Sequence, residues 1–275
     1  MIGFNHLGRL GRLGNQMFQY AALRGIAANN GHNFCFPYYK DAIDDGIGNM
    51  LRTELFDCFE MSSVTNLNIQ TIDPGRPIIQ EGVFHFNEKL FGECPDWVTL
   101  YGFFQTEKYF KNVSDIIRKD FSFKKEILDP CKEMMGSLYS GDIDPTIVAL
   151  HIRRTDYLTN SANHNNLGLE YYEKALSKFS DDATIVVFSD DPKWCKEQEL
   201  FSGDRFLISE NTNGYIDLCL MSMCTDFIIA NSTFSWWGAW LANKGKVIAP
   251  KNWFGPALQD KNTKDIYPEH WEIIE

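Results

Sequence analysis

From residue 146 onward, short apolar runs alternate with segments of helical spacing. TIVALHI (146–152), ATIVVF (183–188), RFLI (205–208), DFIIA (226–230) and KVIAP (246–250) read as buried strands. LEYYEKALSKF (169–179), residues 192–200 and YIDLCLMSMC (215–224) read as helices between them. That alternation predicts βαβ units and a parallel sheet covered on both faces. Five such strands make a Rossmann-like half. The first half is less regular. A short strand within residues 1–6, a helix from about 15 to 29, and strands at 33–36, 77–81 and 98–102 are expected. Residues 106–139 look helical, with a break near Pro130. SGDIDP (140–145) is polar and turn-rich. It is read as the boundary between an α/β domain over 1–140 and a second over 145–275.

Composition narrows the class. The chain has 275 residues, 44% hydrophobic and 23% charged, with seven Trp and 21 Phe to fill a core. The formal charge of −11 argues against nucleic acid as a partner. An anionic ligand must then be held by a few local arginines. The seven cysteines are an odd number with no C-x-x-C, which argues against a zinc site and a disulfide scaffold. Free thiols in a reducing compartment are the plain reading. MIGFNHLGRL lacks the long apolar core of a signal peptide, and no stretch approaches the roughly 18 apolar residues of a span. A cytoplasmic protein is expected, with peripheral association at the inner face of a membrane left open. Nothing in the sequence specifies an oligomeric state.

Four stretches carry candidate chemistry. HIRRTDY (151–157) closes a strand with His151, Arg153, Arg154 and Asp156 at its carboxyl end, where open α/β sheets bind ligands. An arginine fork suits a diphosphate; the plainer reading is a solvated arginine pair. SDDP (189–192) ends the next strand, so Asp190 and Asp191 could accept bonds from a guanine edge or a ribose. Alternatively, one of them caps a helix that has Pro192 at its first position. NSTFSWWGAWL (231–241) offers Ser232, Thr233 and Ser235 at a helix start, a phosphate-binding arrangement, while Trp236, Trp237 and Trp240 are read as core. In LGRLGRLGNQMF (7–18), Gly11 and Gly14 permit close backbone approach, and Asn15 and Gln16 open a helix. A capped tight turn explains that stretch equally well. No P-loop or nucleophile elbow occurs. The only D-x-D, Asp142-Ile143-Asp144, is read as a solvated turn, and His6, His32, His85 and His270 show no ligand spacing.

GRLGNQMFQYA (11–21), HIRRTDY, FSDDPKWC (188–195) and IIANSTFSWWGAWL (228–241) together resemble the α-1,2-fucosyltransferases of glycosyltransferase family 11. The resemblance implies a GT-B-like α/β fold, with two Rossmann-like domains facing a cleft and the donor held mainly by the C-terminal one. It implies an inverting, metal-independent transfer of fucose from GDP-fucose, with no cofactor. Carried over, Arg153 binds the β-phosphate and His151 and Asp190 meet the guanosine. Ser232, Thr233 and Ser235 line the diphosphate. Gly14, Asn15 and Gln16 meet the donor sugar and the acceptor. Arg154 and Asp191 complete the expected donor set, and Arg153, Asp156 and Asn15 the catalytic one. Arg12 stands where the family has a second glycine, and the segment 158–168 is unusual for it. His164 and Arg12 are therefore the acceptor-side candidates. Asp156 is the first candidate base and His164 the second; in the alternative, Asp156 only orients Arg153 or Arg154.

The expected activity is transfer of L-fucose to the 2-hydroxyl of a galactose-terminated glycan, for a surface polysaccharide. A fucosyltransferase of another linkage, another GDP-sugar transferase and a non-catalytic glycan- or nucleotide-binding module are the competing readings.

Overall fold

The computed structural model describes residues 1–46, 48, 50–138 and 145–275. They gather into two units, Met1–Lys124 with Asn262–Pro268, and Lys125–Lys261 with Glu269–Glu275. The expected linker lies, except for its last residue, outside the described residues, as does Asp142-Ile143-Asp144.

In the first unit, β1 (Ile2–Gly3) leads into α1 (Leu13–Asn29), β2 (Phe34–Cys35), a hairpin of β3 (Ile43–Asp44) and β4 (Met50–Leu51), and α2 (Leu55–Cys58). Then come β5 (Ile78–Gln80), α3 (Glu88–Gly92), β6 (Val98–Tyr101) and α4 (Ser114–Asp120). A four-stranded sheet has the order β2-β1-β6-β5, every pairing parallel. Helix α1 buries nearly its whole circumference, including Met17, Phe18, Tyr20, Ala22, Leu23 and Ile26. Ala21, Ala22 and Ala27 on the buried side lose no rotamer freedom. Gly25 lets it lie against the main chain at Tyr109, since a Cβ there would stand 1.9 Å from that carbonyl oxygen. Tyr20 packs on Phe34, Phe36 and Phe121 and donates to Asp120 at 2.6 Å.

The second unit opens with α5 (Lys125–Gly136), whose residues were expected to belong to the first. This helix runs through Pro130. The expected break falls instead before Lys125, so α5 forgoes one bond to the Glu126 carbonyl without ending. There follow β7 (Ile147–Ile152), α6 (Thr155–Thr159), α7 (Leu169–Leu176), β8 (Thr184–Ser189), α8 (Pro192–Lys196) and β9 (Phe206–Ile208). The chain continues through α9 (Gly214–Met223), β10 (Asp226–Ile228), α10 (Thr233–Ala242), β11 (Val247–Pro250) and β12 (Glu272–Ile274). The sheet is wholly parallel, in the order β12-β11-β10-β7-β8-β9. It has six strands where the apolar runs predicted five; β12 escaped notice because only one of its three residues is buried. Central β7 is buried at every position, as a strand covered on both faces must be. Val148, Leu150 and Ile152 pack with Tyr172, Ala175 and Ile185 on one face. Trp236 and Trp237 of α10 are fully buried and Trp240 nearly so, which makes them core as expected. All seven cysteines are free thiols and buried. No helix among the described residues is long and apolar enough to cross a membrane.

Candidate active site

The expected site residues fall into two sets, one in each unit. In the second unit the crowd lies at the carboxyl ends of β7, β8 and β10, where strand dipeptides hand over to helices. Arg153 follows β7 and is only 16% exposed. Its guanidinium meets Asp156 at 2.7 Å and Asp190 at 3.3 Å and lies 5.5 Å from the Tyr157 ring. Burial works against its charge, but the Asp156 hydrogen bond and Asp190 more than compensate and hold its pKa above the ordinary value. Arg153 is therefore a fixed cation whose direction is set by two carboxylates.

Asp190, expected to meet guanosine, accepts from the Arg154 N–H at 2.9 Å, the Thr155 N–H at 3.2 Å and the Thr155 hydroxyl. It thereby closes the amino end of α6 from the neighbouring strand, in the manner of an N-cap. Asp191 caps α8, accepting from Trp194 N–H at 3.1 Å with Pro192 behind it, which is the capping alternative read from SDDP. It also meets Arg154 at 3.3 Å, and the Arg154 guanidinium stacks 3.7 Å from the centre of the Trp194 ring. Arg154 is thus anchored on α8.

His151 is 4% exposed, and its Nδ1 lies 3.0 Å from Ser235 Oγ in the first turn of α10. Burial, aided by the Arg153 charge and opposed by Asp190, pushes its pKa down to about 3. The ring is neutral at physiological pH and joins β7 to the start of α10 as a hydrogen-bonding group. Ser232 is the N-cap of α10, and Thr233 and Ser235 sit in its first turn. The start of a ten-residue helix is a ready anion site, and Arg153 is linked to it through Tyr157 and Asn231.

His164 stacks on Tyr157 with ring centres 4.0 Å apart, and Tyr157 donates to the Asn231 carbonyl at 2.9 Å. Burial, then Arg153, lowers the His164 pKa against the pull of Asp156. The Asn231 side chain in turn donates to the carbonyls of Asn165 and Trp253, both at 2.9 Å. The unusual segment 158–168 is thereby tied to the end of β10. Tyr157, Thr155, Trp194 and Asn231 were not singled out from the sequence, although each stands within a quoted motif. Asp217, whose carboxyl burial raises above the usual range, holds Ser209 and Asn211 and carried no sequence signal.

In the first unit, Gly14, Asn15 and Gln16 occupy the first turn of α1 and Arg12 precedes it, exposed. Gln16 is fully buried. Its amide donates to the carbonyls of Gly11 (3.2 Å) and Arg52 (2.9 Å) and accepts from the Glu54 N–H (2.9 Å). That use of every polar atom makes it a brace for the loop. Gly11 has φ +83° and a Cβ there would meet Asn15 Nδ2 at 2.4 Å, so glycine is required. Among the described residues no group of three or more His, Cys, Asp or Glu side chains is placed to hold a metal ion.

Two α/β units, each built on a parallel sheet, define a GT-B-like fold. The fold matches solved structures over most of its length. One is POFUT1 in complex with GDP, with TM-score 0.54, 16% identity, and coverage of 88% of this chain and 94% of that one. Another is the NodZ α-1,6-fucosyltransferase soaked with GDP-fucose, with TM-score 0.54, 12% identity, and coverage of 91% and 94%. The family model Glycosyl transferase family 11 matches residues 2–275, and the chain belongs to that family. It is 32% identical to an α-1,2-colitosyltransferase of Escherichia coli, covering 96% of this chain and 97% of the relative. It is 36% identical to the O-antigen biosynthesis glycosyltransferase WbnK of Escherichia coli over 61% of this chain, and 26% identical to galactoside α-(1,2)-fucosyltransferase 1 of Homo sapiens over 84%. The matched regions span 59% of WbnK and 64% of the human enzyme.

Proposed function

We propose that this chain transfers L-fucose with inversion from GDP-fucose to the 2-hydroxyl of a galactose-terminated glycan, in the building of a surface polysaccharide such as an O-antigen. The observation that carries the reading is Arg153, a largely buried guanidinium aimed by Asp156 and Asp190 over the ring of Tyr157, whose hydroxyl bonds the Asn231 carbonyl just before α10. As the glycosidic bond to the donor breaks, the diphosphate gains negative charge. A preorganised cation and helix N–H groups stabilise that charge without reorganising, and one such donor is worth about 10²- to 10³-fold in rate. This supply of positive charge is why we propose a metal-independent reaction.

The acceptor hydroxyl must also lose a proton. Asp156 is a poor base while Arg153 neutralises it, so its role in this reading is to orient the guanidinium. His164, held neutral by burial and stacked on Tyr157, is the better proton acceptor. His151, with a pKa near 3, is too weak a base and serves to position Ser235 and the nucleoside.

A second reading has the chain transferring colitose, the 3-deoxy counterpart of fucose, from its GDP-activated form. The α-1,2-colitosyltransferase, matched over 97% of its length, favours it. Incubating the chain in EDTA with each GDP-sugar and a galactoside, then determining the product linkage, tests both readings. Transfer dependent on a divalent metal ion, or a product with another linkage, would overturn the proposal.

A further inference from the structure

Asn15 and Gln105 face each other in the first unit, at the start of α1 and in the loop leaving β6. Gln105 Nε2 donates to Asn15 Oδ1 at 2.8 Å. Two carboxamides that meet side by side can form a closed pair with two bonds. Here they form one. Gln105 Oε1 is buried without a hydrogen-bond partner, on a residue only 8% exposed, and Asn15 Nδ2 donates to no protein acceptor among the described residues. Leaving a buried carbonyl oxygen unpaired costs on the order of 1–3 kcal/mol, so such a group calls for an explanation.

Both side chains are held in place. Gly11 packs under the Asn15 amide, as the close approach of a notional Cβ shows. Gln105 follows Phe104, which has a left-handed backbone at φ +54°. That conformation is braced by the buried carboxylate of Glu81, which accepts from the N–H groups of Phe103 (2.9 Å) and Phe104 (3.0 Å). Gln19 ties the two loops together, donating to the carbonyls of Leu10 (2.8 Å) and Gly102 (3.2 Å). The single bond between the amides is thus built in, and it leaves one N–H donor on Asn15 and one C=O acceptor on Gln105.

We infer that Asn15 Nδ2 and Gln105 Oε1 form a donor–acceptor pair that reads one hydroxyl of a sugar ligand, Gln105 fixing the direction of the Asn15 amide. A hydroxyl both accepts and donates, so it satisfies the two groups at once. A phosphate oxygen only accepts and an ammonium only donates. The pair carries no charge, which suits a neutral hexose. The inference rests on the reading of this chain as a GDP-hexose transferase, and either the donor hexose or the acceptor glycan could bring the hydroxyl.

The test uses the full chain and initial rates with GDP-fucose and its mono-deoxy analogues, GDP-colitose among them, and with a galactose-terminated acceptor and its mono-deoxy analogues at every position but the nucleophilic 2-hydroxyl. Wild type should prefer the fully hydroxylated substrate over one particular deoxy analogue by roughly ten- to a hundredfold in kcat/KM. Gln105→Met should erase that one preference, to within about twofold, while leaving the other preferences and the affinity for GDP unchanged. Loss in the donor comparison assigns the hydroxyl to the donor, and loss in the acceptor series assigns it to the acceptor. Damage to the fold would lower all rates together. Should Gln105→Met not fold, Asn15→Ala removes the other half and must erase the same preference. A variant that turns over yet keeps every preference overturns the pair alone. Failure of wild type to use either GDP-sugar overturns the functional reading as well.

Discussion

Replacing Asp190 separates two roles for a carboxylate at the end of β8. In the structure it accepts from two backbone N–H groups and a hydroxyl at the start of α6, and it meets Arg153 at 3.3 Å. Losing an N-cap acceptor costs about 1 kcal/mol. Leaving a largely buried guanidinium with one partner instead of two adds a comparable or larger amount, since bonds to charged groups are worth about 1.5–3 kcal/mol. With Asp190 itself 19% exposed and the terms not additive, Asp190→Ala should cost about 3 kcal/mol. At roughly 2–4 °C per kcal/mol, Tm should fall by about 6–12 °C. Asp190→Asn keeps one acceptor oxygen and loses the charge, and should fall about half as far. The assay is thermal unfolding alongside titration with GDP and with IDP, which lacks the guanine 2-amino group. The clamp role requires both variants to lose stability and to weaken for both nucleotides alike. An Asp190→Ala protein that melts with wild type but no longer prefers GDP over IDP would refute it and return Asp190 to the guanine edge.

Arg153→Ala should lower turnover by about 10²- to 10³-fold, and Arg153→Lys, which keeps charge but loses the fork, should recover part of it in the same assay. Gln16→Glu sets a carboxylate against the carbonyls of Gly11 and Arg52 and should cost about 2–4 kcal/mol in urea unfolding. Gly11→Ala forces a left-handed alanine into the Asn15 amide, so stability should drop by about 2 kcal/mol and transfer should fall with it. His151 has a folded pKa near 3, below the unfolded value of about 6.5, so the unfolded chain binds the extra proton between these values. Its contribution is intact above pH 6.5 and is lost as pH falls; by pH 5 the loss amounts to about 2 kcal/mol. Unfolding of wild type and His151→Asn at pH 7 and 5 should show the wild type losing more by that amount.

Much of the second unit was legible because its strands are continuous apolar runs and its helices have amphipathic spacing. Strand β12, with two of three residues at least partly exposed, has no such run. Helix α6 is five residues long and is held by Asp190 from another strand, a contact that no local pattern encodes. The same limit applies within the site. HIRRTDY and SDDP announced a charged strand end, but which aspartate faces which arginine depends on the register of β7 on β8. Pro130 misled because its cost, one missing bond, is small against the packing of α5 on the second unit. Gln105 is a lone amide in a loop. Only the fold brings it to Asn15, ninety residues away in sequence.

The central claim is that Arg153 and the amino end of α10 neutralise the departing nucleoside diphosphate. A crystal of this chain grown with GDP in the presence of EDTA tests it most directly. The account predicts phosphate oxygens within hydrogen-bond distance of the Arg153 guanidinium and of N–H groups in residues 233–235. A nucleotide bound elsewhere, or one that binds only when a divalent cation is restored, would contradict it.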